Sequence, residues 1–130
     1  MAIRLFGPAL CRALLALVLL LAGAEGCVRP RFGGSPSAVV LEVSNKGWTD
    51  ITVLVERGGV RHRLGLSSAL SERRFRIPAE VAPAGETIAL LADPVGSSEV
   101  YRSPSVRIEA GIVIVWTLQN NLAQSSLRTR

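Results

Sequence analysis

The sequence predicts an all-β protein, an antiparallel β-sandwich of seven to eight short strands that follows an N-terminal signal peptide. Three observations predict it. From residue 38 onward, apolar and polar side chains alternate with a period of two. Clusters of Gly, Pro, Asn and Asp interrupt that alternation about every eight to twelve residues. No segment after residue 37 repeats its apolar residues at helical spacing over a convincing length.

The elements follow in order. AVVLEVSN, residues 38–45, puts Val39, Leu41 and Val43 on one face, and Asn45-Lys46-Gly47 turns the chain. TDITVLVER, residues 49–57, puts Ile51, Val53 and Val55 on one face. Gly58-Gly59 suits a compact hairpin, because glycine reaches positive φ without a steric penalty. VRHRLGL, residues 60–66, sets Val60, His62, Leu64 and Leu66 against Arg61, Arg63 and Gly65. A polar loop over 67–71 leads to ERRFRIP, where Phe75 and Ile77 oppose Arg74 and Arg76, and Pro78 ends the run.

Pro83-Ala84-Gly85 turns into ETIALLAD, with Ile88, Leu90 and Ala92 in phase. Asp93-Pro94-Val95-Gly96 is a turn, since Asp closes onto its own backbone and Pro fixes φ. EVYRS reads as a short edge strand, and SVRIEA contributes Val106 and Ile108. IVIVWTLQN, residues 112–120, is apolar on both faces as far as Trp116, which places it in the interior of a sheet. The polar tail, residues 123–130, is expected to fray.

With few aromatics, the core must be built chiefly from Val, Ile and Leu, with Trp116 inside it. Trp48, in the first turn, suits either a lid or a stacking surface. In strand number and spacing, residues 38–122 resemble small immunoglobulin-like or transthyretin-like modules, a likeness of pattern that carries no function.

The N-terminal quarter reads as an address. Arg4 and Arg12 precede twelve residues, 13–24, without a charge or polar side chain. That is too short to cross a bilayer, which takes about 20, and it fits the apolar core of a signal peptide. Two exits overlap. Ala22-Gly23-Ala24 is a small-x-small site, cut before Glu25. Ala24-Glu25-Gly26-Cys27 resembles the lipobox of bacterial lipoproteins, cut after Gly26. Gly26 and Cys27 match that pattern; Ala24 stands where Leu is usual, and Glu25 departs from it. Cys11 would leave with the signal, so Cys27 would be the sole cysteine of the processed chain. The resemblance implies a diacylglyceryl thioether on Cys27, and two or more acyl chains hold a protein firmly on a membrane. The organisation expected is therefore a signal peptide over 1–26, lipid-anchor Cys27 with a Pro- and Gly-rich tether over 27–37, the sandwich over 38–122 and the tail over 123–130.

Little points to chemistry. His62 is the only histidine, and no G-x-S-x-G nucleophile elbow, phosphate-binding loop or dinucleotide fingerprint is present. His62 is expected to be structural, and no catalytic residue, cofactor or metal is expected. Fourteen of the 15 cations are Arg, and the formal charge is +5. If the segments 60–66 and 72–78 pair, Arg61, Arg63, Arg74 and Arg76 share one outer patch able to bind an anion through their planar forks. Without such a ligand they form a solvated basic face. Nine acids after residue 37 and export argue against nucleic acid as a partner. The expectation is a non-enzymatic cell-envelope lipoprotein, a binding or structural accessory held to the membrane and meeting a protein or anionic envelope partner. The alternative is a soluble secreted sandwich that recognises an anion through its Arg-rich face.

Overall fold

The structure, a computed structural model, describes residues 38–130. The expected signal peptide over 1–26, the expected cleavage after Ala24 or Gly26, the expected lipid-anchor Cys27 and the expected tether over 27–37 lie outside them. The described residues form an all-β fold of nine strands in two sheets: β1 (Val39–Asn45), β2 (Ile51–Arg57), β3 (Val60–Ser67), β4 (Glu72–Ile77), β5 (Thr87–Pro94), β6 (Tyr101–Arg102), β7 (Val106–Arg107), β8 (Val113–Leu118) and β9 (Ser126–Thr129). The one helical piece among these residues is a 3-10 turn, Leu122–Gln124. One sheet has the order β4-β1-β8-β9; the other runs β3-β2-β5-β6, with β7 also paired to β5.

The alternation seen in the sequence becomes the interior. Val39, Leu41 and Val43 of β1 and Ile114, Trp116 and Leu118 of β8 meet Ile51, Val53 and Val55 of β2 and Ile88, Leu90 and Ala92 of β5. Trp116 is 1% exposed. Its ring stacks on Tyr101 of the other sheet, with centroids 6.5 Å apart. β8 lies between β1 and β9, and β6 is a two-residue strand at its sheet's edge.

Three features depart from the sequence expectation. β1 and β8 pair in parallel, so the sheet they share is mixed rather than wholly antiparallel. Alternation reports which face a residue takes, not the direction of its neighbour. The tail does not fray: β9 pairs with β8, and Leu127 packs against the core. A bulge shifts the β2–β3 register between Val53 and Leu54, where Gly65 and Arg63 are the successive partners. The extra residue flips the phase. Leu66 therefore sits opposite the outward Thr52, and Ser67 points inward and is buried. At the bulge a Cβ on Gly65 would stand 2.9 Å from Phe75 Cε1, so glycine lets the two sheets approach there.

Candidate functional site

β1, β3, β5 and β8 all finish at the same end of the sandwich. The loops 46–50, 68–71, 95–100 and 119–125 therefore cluster there. The chain enters β1 at the opposite end, beside Ile77 and the Gly58-Gly59 hairpin. Of the five exposed large hydrophobic side chains among the described residues, Trp48, Leu70, Val95 and Val100 belong to the loop end, and Val60 to the other.

A buried amide organises two of these loops. Asn45 Nδ2 donates to the carbonyls of Thr49, Ser67 and Ser68, and its Oδ1 accepts from Gly47 N–H. Asp50 Oδ1 accepts from Ala69 N–H at 2.8 Å, and Leu70 N–H donates to Gly47 O. The loops 46–50 and 68–71 are thus fixed to one another. Leu70 has φ +54, the one non-glycine residue with positive φ among the described residues. Trp48, 74% exposed, is held out on this scaffold. An apolar group displayed on a hydrogen-bonded loop suits contact with another molecule better than burial within its own chain. Beside these loops lies an open cleft of about 550 Å³, lined by Thr49, Val95, Val100, Tyr101, Asn120 and Leu122 among others.

The arginines are arranged otherwise than the sequence suggested. β3 pairs with β2 and β4 with β1, so the loop 68–71 crosses between sheets and does not close a hairpin. Arg61 and Arg63 stand on the outer face of the five-stranded sheet, Arg74 and Arg76 on that of the four-stranded one. The four do not form a joint patch.

Each outer face instead carries a carboxylate between two arginines. Glu56 accepts from Arg61 at 3.1 Å and from Arg102 at 3.0 Å. Glu42 accepts from Arg74 on one oxygen and from Arg130 on the other, at 2.7 Å for Arg130. Hydrogen bonding from Arg74 holds Glu42 below the ordinary carboxylate range against partial desolvation, and the charge of Arg130 adds to it. Arg61 does the same for Glu56, followed by Arg102. Glu72 pairs with Lys46 and with no arginine among the described residues.

Arg128 and Arg130 were hidden in the stretch read as a fraying tail. Their signal was the alternation S-L-R-T-R, with Leu127 inward and both arginines outward. His62 is half-buried opposite Val55 on the inner face, where its alternation put it. Among the described residues no group of three His, Cys, Asp or Glu could hold a metal ion, and no helix is long and apolar enough to cross a membrane. A comparison with protein-family models finds no match to the chain, and no curated protein matches it.

Proposed function

We propose that the protein is a non-enzymatic, lipid-anchored module of a bacterial cell envelope that engages a partner protein through the loop end of its sandwich. The observation that carries this reading is the gathering of Trp48 and Leu70, on two loops pinned by Asn45, with Val95 and Val100 of the loop 95–100 at the same end, opposite the chain's entry into β1. Aromatic and aliphatic side chains on preorganised loops lose little entropy when a partner covers them. The proposed anchor rests on the signal peptide and on the lipobox resemblance around Cys27. Among the described residues the chain enters β1 at the hairpin end, opposite these loops.

Site-specific photocrosslinking in intact cells tests the partner reading. A photoreactive residue at position 48 is expected to give a discrete adduct, and one at position 60 none. Adducts at position 60 alone, or at neither position, would overturn it. Anchoring is tested by fractionation: Cys27→Ser is expected to move the protein from membranes to the soluble fraction, and membrane retention through a high-salt wash would contradict the anchor. The soluble alternative, cut before Glu25, has the same loop end and differs in its first residue and lack of lipid.

A further inference from the structure

The outer face of the four-stranded sheet carries a second feature, independent of the loop end. A shallow groove of about 560 Å³ runs across it. Lys46, Arg73, Arg74, Arg128 and Arg130 line it, against only Glu42 and Glu72. Residues 38–130 together carry a net charge of +2. The groove alone carries +3, so the positive excess of the domain is concentrated in it.

The arrangement is also preorganised. Arg130 reaches inward from its position beside Val113, over β8, to the carboxylate on β1, and Arg74 reaches the same carboxylate from β4. Two guanidinium groups are thereby held side by side on the two oxygens of Glu42, and each keeps further N–H donors for another acceptor. Arg128 stands on the same cross-strand row, Arg74–Glu42–Val115–Arg128, and makes no ion pair among the described residues. Arg73 likewise has no ion pair among them. The next row supplies small hydroxyl residues, Ser44 and Thr117, which keep the floor low. Like charges crowded on one sheet face repel. One carboxylate cannot balance Arg74, Arg130 and Arg128 together.

We infer that this groove binds a phosphate-bearing ligand, with Arg74, Arg128 and Arg130 as its forked donors and Arg73 at its rim. Phosphate offers at least as many acceptor oxygens as the groove offers free forks, and a dianion neutralises what Glu42 leaves over. The volume suits a small phosphorylated molecule or the head group of a phospholipid. Both present phosphate oxygens to the guanidinium forks, a monoester as a dianion and a diester head group as a monoanion.

Titration calorimetry on the full-length chain in non-ionic detergent at low salt tests the site, with pyrophosphate as the probe. Saturable binding is expected, weakened roughly tenfold or more by Arg128→Gln and unchanged by Arg63→Gln on the other sheet. Arg128→Lys, which keeps the charge and loses the fork, is expected to fall between. Arg128 is exposed, so its variants should keep the native melting temperature. A second titration with monomeric dihexanoyl phosphatidylglycerol separates the sources. Arg128-dependent binding of that lipid assigns a membrane head group, and Arg128-dependent binding of pyrophosphate alone assigns a soluble phosphate. Equal affinity for pyrophosphate in the native and Arg128→Gln proteins, or no saturation by about 10 mM, would overturn the inference. Loss of crosslinking at position 48 would leave it standing.

Discussion

Replacing Asn45 by Ala should destabilise the domain more than any surface change, because this one buried side chain ties the loops 46–50 and 68–71 together. Its amide orientation is fixed by its surroundings: three carbonyl oxygens face Nδ2 and one N–H faces Oδ1. Two donor hydrogens and one acceptor are therefore lost in a buried position. Each such bond contributes about 1 kcal/mol, and a backbone group left unsatisfied costs as much or more. The expected loss is about 3 kcal/mol, which for a domain of this size lowers the melting temperature by about 12–24 °C. Circular dichroism melts of the native and Asn45→Ala chains measure it. Asn45→Asp separates hydrogen bonding from packing. It keeps the volume and the acceptor for Gly47 N–H but turns an oxygen toward the three carbonyls, so it should be at least as damaging. A drop below about 4 °C for the Ala variant, or tolerance of Asp where Ala is not tolerated, would refute the reasoning.

Three further outcomes follow from the same structure. Gly65→Ala should cost about 1–3 kcal/mol in urea unfolding, because its Cβ meets Phe75 Cε1 at 2.9 Å; Phe75→Leu in the same chain should recover part of the loss. Ser67→Ala should be neutral or stabilising by up to about 1 kcal/mol, since the buried Ser67 Oγ has no hydrogen-bond partner among the described residues; a clear loss of stability would reveal one. Glu42 and Glu56 have folded pKa values below their unfolded ones, so their contribution is complete above the unfolded value of about 4.3 and disappears as pH falls through the lowered folded values. Melting temperatures should therefore decline on acidification below that value, and the double variant Glu42→Gln, Glu56→Gln should flatten the decline.

Strand positions were legible because alternation is a local property. Val39, Leu41 and Val43, or Ile88, Leu90 and Ala92, announce a buried face without reference to any partner. Pairing was not legible for the same reason. Nothing local shows that β1 lies parallel to β8, or that the loop 68–71 passes between sheets. The Arg61, Arg63, Arg74, Arg76 patch failed on that point. The bulge at the Val53–Leu54 step was also silent, and it reversed the assignments of Leu66 and Ser67. β9 was missed because a single apolar residue, Leu127, marks it among polar neighbours. The Glu42 clamp joins residues 32 and 88 positions apart, a juxtaposition only the sheet order creates. Trp48 was placed in its loop correctly, but Asn45, which fixes that loop, read only as a turn residue.

Under the proposed function the domain is exported and then fastened to a membrane by its first processed residue. Intact-mass measurement of the protein purified from membranes tests this most directly. The predicted product begins at Cys27 and carries the added mass of a diacylglyceryl group, with or without a further acyl chain on its amine. A product that begins at Glu25 without lipid, or one that retains residues 1–26, would contradict it.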